Sequence, residues 1–372
     1  MPSKQWNEVK HGESRLLTYN VPSEPIQGGK AAMFDLDGTL TVFHADFDKV
    51  ELCSASVPTK LNELVKNGYT IVIITNQGNI DKGKLKIDSM KAKMEKIVAL
   101  LGCDCIVLVA GYYDIYRKPA IGSFRYLQSL FSSPIEAASF FCGDTYGKKP
   151  KKLTDILFAK NCGVPFYTPS DFFSSSSLLP ASPYPFTAPA FDPSSLRNAS
   201  KTDLRALLRP KDSLPEVVLL IGPPASGKSR LCEDIFADYE RVSQDVLKTL
   251  SKCQRKAQSA LKMKKSVVVD NTNPTVNTRS KWVALAKEAG VPIRALVVDV
   301  DKPTAIHLNA FRSLGYGEDR RRVPMVAINS FFSKFERPLS SEGFSAVLHV
   351  PFVCKPFQSA DEERDFFSYL GD

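Results

Sequence analysis

A chain of 372 residues is too long for one ordinary core and divides most naturally into two domains. Hydrophobic residues at 43% and charged residues at 24% exclude wholesale disorder, and no run approaches the roughly 20 apolar residues that span a bilayer. Lys plus Arg at 49 against Asp plus Glu at 40 leaves +9, a balance that favours polyanionic partners without choosing among DNA, RNA and an anionic membrane surface.

From Lys30 short apolar runs alternate with amphipathic stretches: Ala31 to Phe34, Leu61 to Lys66, Tyr69 to Ile74, Met90 to Leu101 and Ile106 to Ala110. This rhythm of strand, helix and strand predicts an α/β domain over 28–171, a parallel sheet with helices on both faces, preceded by a short extension over 1–27. Gly68 is placed to stop the helix before it, and Ile71 to Ile74, apolar throughout, suits a strand buried on both faces.

Asp35-Leu36-Asp37-Gly38-Thr39 follows directly on the first of those strands, at the edge where parallel sheets bind ligands. Alternation aims Asp35 and Asp37 into one crevice and Gly38 permits the sharp turn between them. One carboxylate can then attack phosphorus, forming an aspartyl-phosphate, while the other manages the leaving-group proton. Asp and Gly also make ordinary turns, so the neighbours matter. Thr75-Asn76-Gln77 closes the next strand with a hydroxyl and two amides that can hold phosphate oxygens. Arg117 and Lys118 supply cations, and Asp144, ending the apolar run Phe140 to Cys142, joins Asp35 and Asp37 as a hard oxygen ligand suited to Mg²⁺.

This succession resembles the haloacid-dehalogenase phosphatase superfamily. The resemblance implies Asp35 as nucleophile, Asp37 as general acid and base, Thr75 and Lys118 as phosphate ligands and Asp144 as a metal ligand.

Residues 172–210, rich in Ser and Pro and without helical or strand period, read as a linker; its Phe and Tyr residues suggest that part of it lies against a domain surface. Alternation resumes with Val217 to Ile221, Ser229 to Tyr239, Ser266 to Val269, Arg279 to Ala289 and Ile293 to Val298, predicting a second α/β domain over 211–372. Gly222-Pro-Pro-Ala-Ser-Gly-Lys-Ser229 fits the P-loop pattern in its required context, strand before and helix after. In such a loop Gly222, Ser226 and Gly227 cradle phosphates, Lys228 reaches the β and γ phosphates of ATP and Ser229 ligates Mg²⁺. Asp245 is the candidate general base, with a helix N-cap as the bland alternative. Asp270 is a second acid at the same edge, placed to contact substrate or order Mg²⁺ waters. Arg312 and the run Arg320 to Arg322 are candidates for a lid over ATP phosphates.

The order of the two halves, with Pro189 to Pro193, Val269 to Pro274 and Glu342 to Ala346, is similar to the polynucleotide kinase 3′-phosphatase family over residues 28–358. That resemblance implies Mg²⁺-dependent removal of 3′-phosphates and ATP-dependent phosphorylation of 5′-hydroxyls on DNA, in a form lacking the forkhead-associated domain of many animal members. Gln244 and Ala310 stand where the family has arginines. The implied setting is DNA strand-break repair by a monomer in the nucleus, with mitochondria as a second compartment. Lys148 to Lys152 can grip the strand at the phosphatase mouth or serve as an import signal; Lys252 to Lys265, with six cations and no acid, can serve the 5′ end. An RNA end-healing enzyme and a scaffold whose kinase half only binds nucleotide are the alternatives. Eight cysteines without Cys-x-x-Cys spacing, only four histidines and an N-terminus without a signal-peptide core fit a soluble intracellular protein with reduced thiols and no zinc site.

Overall fold

The structure, a computed structural model, describes all residues except 1–4, 45, 46, 48, 149–151, 187–190, 201, 210–214, 315, 317–321, 355 and 372. It divides into two units, one of 1–189, 310–322 and 368–372, the other of 190–309 and 323–367.

The first unit runs β1 (Trp6–His11), β2 (Ser14–Tyr19), β3 (Ala31–Phe34), α1 (Val57–Lys66), β4 (Thr70–Asn76), α2 (Ile87–Leu101), β5 (Cys105–Ala110), α3 (Gly122–Ser129), β6 (Phe140–Cys142), α4 (Thr154–Cys162), β7 (Phe166–Tyr167) and α5 (Pro169–Ser174). The sheet order is β1-β2-β5-β4-β3-β6-β7. Pairing is parallel from β5 to β7 and antiparallel at β1-β2 and β2-β5. The continuous apolar character of β4 has a direct cause in the two-residue period of a strand. Ile71 and Ile73 enter a core with Leu61, Met90 and Ile97 from α1 and α2, whereas Val72 and Ile74 enter another with Phe124, Leu127 and Phe158 from α3 and α4.

Residues 5–27, the described part of the expected extension, are more than an extension. They form the hairpin of β1 and β2, turning at Gly12 with φ 57. Leu16 joins one core and Leu17 the other, so β2 continues the sheet as an integral strand. The aromatic part of the expected linker also belongs here: Phe172, Phe173, Leu178 and Leu179 cover one core and Tyr184 and Phe186 the other.

The second unit begins with a 3₁₀ turn over Pro193–Asn198. It continues through α6 (Leu204–Leu208), β8 (Val217–Ile221), α7 (Lys228–Asp234), β9 (Glu240–Val242), α8 (Gln244–Leu247), α9 (Leu250–Lys262), β10 (Val267–Val269) and α10 (Val276–Glu288). Then follow β11 (Ile293–Asp299), α11 (Lys302–Phe311), α12 (Met325–Lys334), β12 (Ala346–Pro351) and α13 (Ala360–Ser368). All five strands are parallel in the order β12-β11-β8-β10-β9, which puts β8 at the centre. The helix expected over Ser229 to Tyr239 stops at Asp234, because the chain then turns to bury Ile235 and Phe236 in the core. Among the described residues no helix is long and apolar enough to cross a membrane.

Two candidate active sites

In the first unit the motif after β3 is fastened to its neighbour strand: the Asp35 amide donates to the Cys142 carbonyl at 2.9 Å. Gly38 then takes φ +84, and a Cβ there would lie 2.5 Å from Asp144 Oδ2, so only glycine lets the loop close on that carboxylate. Asp35 is buried and accepts from Lys118 Nζ at 2.6 Å; the same ammonium donates at 2.7 Å to Asp155 Oδ1. Asn76 fixes the backbone of Lys118 reciprocally, its amide donating to the Lys118 carbonyl and its carbonyl accepting the Lys118 N–H, both at 3.0 Å. Gln77 Nε2 donates to Asp37 Oδ2 at 2.9 Å and to Thr75 Oγ1 at 3.1 Å, holding the second acid and the strand-end hydroxyl together.

Asp155 has no motif to announce it. It lies in the first turn of α4, where its Oδ2 accepts from the amide and hydroxyl of Thr145 at 3.1 and 2.7 Å. Asp35, Asp144 and Asp155 each bring a carboxylate oxygen within 4.8 Å of the others. The Asp37 side chain stands outside this trio, tied to Gln77.

Burial pushes the Asp35 carboxyl up to about 8; Lys118 draws it down, and Asp155 and Asp37 push it up again. Burial and Asp155 likewise raise Asp144 to about 6, against Lys118. Lys118 is itself raised: burial works against its charge, but Asp155 and Asp35 overcome that penalty. Three acids around one ammonium leave an excess of hard, negative oxygen, a donor set of the kind that suits Mg²⁺.

In the second unit the P-loop follows the central strand β8, as its motif requires. Gly227 takes φ 90 and Ala225 φ 65, opening the loop at the start of α7, with Ser229 half-buried in its first turn. A Cβ at Gly222 would approach Val298 Cβ to 3.1 Å and Ser226 Oγ to 3.2 Å. Lys228 is buried and folded back on its own loop, donating to the carbonyls of Pro223 at 2.6 Å and Gly222 at 3.0 Å. Burial lowers it to about 8, opposed by the fields of Asp270 and Asp245.

Asp270 directly follows β10 and is itself paired, its Oδ2 accepting from Arg241 Nη2 at 2.6 Å and Nε at 3.1 Å. Asp245 is exposed in α8, whose N-cap position is Ser243, so the capping alternative for Asp245 does not hold. The Gln244 N–H is held by Asn271 Oδ1 at 2.9 Å. Arg241 and Asn271 are the supports that the sequence motifs did not single out.

Other candidates are dispersed. Arg312 lies just past α11 in a stretch, 310–322, that groups with the first unit and not with the one carrying the P-loop. Ala310 is buried, and a Cβ on Gly371 would come within 2.6 Å of its own Cβ, so the place has no room for an arginine. Arg117 lies 4.2 Å over the Tyr113 ring, and Lys148 5.9 Å over Tyr146. Arg320 and Arg321, the run 149–151 and residues 189–190 lie outside the described residues. On α9, Lys256 pairs with Glu240 at 2.6 Å, a structural use for one of its cations.

A family model described as polynucleotide kinase 3 phosphatase matches residues 30–173, and one described as an AAA domain matches 217–338. A bifunctional polynucleotide phosphatase/kinase of Schizosaccharomyces pombe is 35% identical over 337 residues, covering 87% of this chain and 80% of that one. A polynucleotide 3′-phosphatase of Arabidopsis thaliana is 34% identical over 172 residues, 41% of this chain and 25% of that protein.

Proposed function

Since this chain belongs to the bifunctional polynucleotide phosphatase/kinase family, we propose that it prepares broken DNA for joining, removing 3′-phosphates with its first unit and phosphorylating 5′-hydroxyls with its second. The observation that carries this reading is the pairing, in one chain, of Asp35 set against Lys118 and the Asp144–Asp155 carboxylates with a complete P-loop on a central strand.

In the first unit an Asp35 oxygen attacks phosphorus, forming an acyl phosphate as the bond from phosphorus to the strand's 3′ oxygen breaks. Asp37, steadied by Gln77, gives its proton to that leaving oxygen, then takes one from the water that hydrolyses the acyl phosphate. Lys118 and Thr75 receive the non-transferred phosphoryl oxygens. Asp35 and Asp144, backed by Asp155, would hold Mg²⁺, whose charge offsets that of the phosphoryl group.

In the second unit Lys228 exchanges the loop carbonyls it now holds for the β and γ phosphates of ATP. Gly222, Ser226 and Gly227 shape the cradle, and Ser229 would ligate Mg²⁺. Asp245 takes the proton from the 5′-hydroxyl as its oxygen bonds to the γ-phosphorus and the bond to ADP breaks. Asp270 aligns the site through Arg241. We assign Arg312 no step.

The +9 charge supports a polyanionic substrate, and the repair reading puts the protein's work in the nucleus. The test uses DNA oligonucleotides bearing either a 3′-phosphate or a 5′-hydroxyl, with Mg²⁺ and labelled ATP. Asp35→Asn should lose roughly 10³-fold or more of the phosphatase rate and keep the kinase; Lys228→Ala should do the reverse. Failure of the wild type to process either end, or equal use of RNA in direct competition, would refute the DNA reading. Exclusion from the nucleus on fractionation would refute the location.

A further inference from the structure

Beside the buried phosphatase lysine a cavity of about 160 Å³ opens, its wall including Asn76, Tyr113, Arg117, Lys118 and Lys152. Lys118 sets the end of this cavity where phosphorus must lie, since it is bonded to Asp35. Asn76, which clamps the Lys118 backbone, forms the next part of the wall. Tyr113 is 49% exposed. Its placement is nevertheless fixed: a Cβ on Gly78 would stand 3.3 Å from Tyr113 Cε2 and 3.0 Å from Arg117 Nη1, so the loop after β4 must be bare at that point for ring and guanidinium to lie against it. Arg117 Cζ sits 4.2 Å from the ring centroid and Lys82 Nζ 5.8 Å from it.

A large, half-exposed aromatic flanked by two cations, one step along a cavity from a phosphate-binding lysine, has the composition of a nucleotide platform: a π surface for a base and positive charge for the phosphate that follows it. The burial of Lys118 and the exposure of Tyr113 fix the direction, phosphate inward and base outward. On the polynucleotide reading above, we propose that Tyr113 is a positioning residue of the phosphatase, on which the base of the strand's terminal 3′-phosphorylated nucleotide stacks, with Arg117 and Lys82 drawing the preceding backbone phosphate towards it.

The experiment measures kcat and KM for 3′-phosphate release from two single-stranded oligonucleotides identical except that one carries an abasic terminal residue. Tyr113→Ala should raise KM for the intact strand roughly tenfold with kcat retained, and Tyr113→Phe should restore the wild-type KM. Wild type should handle the abasic strand with the KM that Tyr113→Ala shows on the intact one, and Tyr113→Ala should add no further loss there. A fall in kcat shared by both substrates, an equal loss on the abasic strand, or no loss at all would overturn the platform while leaving the polynucleotide reading intact. A wild type that leaves the 3′-phosphate on the intact strand would overturn both.

Discussion

Lys118 and Lys228 are both buried ammonium groups, yet they are held in opposite ways. Lys118 lies between two carboxylates and is raised, whereas among the described residues Lys228 bonds to loop carbonyls and the Ser226 hydroxyl and is lowered to about 8 by burial, despite the fields of Asp270 and Asp245. The first site is thus assembled around its own counter-charges and lacks positive charge. The second holds a cation whose counter-charge must arrive with the substrate. Burial alone therefore does not set the behaviour of a catalytic lysine; the partners decide it. On the proposed function, the first site would receive a metal-neutralised phosphate and the second a polyphosphate.

The sharpest way to separate the two sites is at their proton-transfer groups. Asp245→Asn should lower kcat of the kinase by roughly 10²- to 10⁴-fold and leave 3′-phosphate release unchanged, read from the two reactions run side by side. Next in size is Asp155→Ala, which leaves Lys118 with a single carboxylate. It should cost the phosphatase roughly 10²-fold or more, read as loss of 3′-phosphate release with the kinase rate unchanged.

The charge surplus of the first site gives a smaller effect with a definite sign. Because Asp35 is raised to about 8 and Asp144 to about 6, protons compete with a cation throughout the interval between those values. Apparent Mg²⁺ affinity should climb as pH rises through it, by up to about tenfold per unit, in calorimetric titrations at several pH values. A flat profile would mean that the acids are less crowded than the structure places them. The second site predicts the smallest signal. Nucleotide binding favours the charged form of Lys228, so near pH 8 ATP should bind with uptake of a fraction of a proton, and near pH 6, where Lys228 is already protonated, with almost none. Titrations in buffers of differing ionisation enthalpy measure this.

Both reactive loops were legible because each follows a strongly apolar strand: β3 leads to Asp35 and β8 to Gly222, and the strand edges agree with the sequence to the residue. The partners were less legible. Asp155 reaches Lys118 only because α4 packs against the sheet, and an acid in the first turn of a helix is too common to single out from sequence. The hairpin of β1 and β2 carried little signal: Trp6 and Val9 are three apart and Leu16 and Leu17 adjacent, so neither segment shows the two-residue period of a strand, and the pair is held by Leu16 and Leu17 in the two cores. Arg241 illustrates the same limit, since its bond to Asp270 joins residues 29 apart, one on β9 and one just past the end of neighbouring β10.

Two sites in one chain, each with its own chemistry, should act on the two ends of one break. The most direct measurement uses a nicked DNA duplex bearing a 3′-phosphate and a 5′-hydroxyl, treated with protein, Mg²⁺ and ATP and then with a ligase. Wild type should make the nick sealable; Asp35→Asn and Lys228→Ala should each fail alone, and an equimolar mixture of the two should restore sealing. Sealing by either variant alone, or failure of the mixture when each variant retains its other activity, would contradict the account.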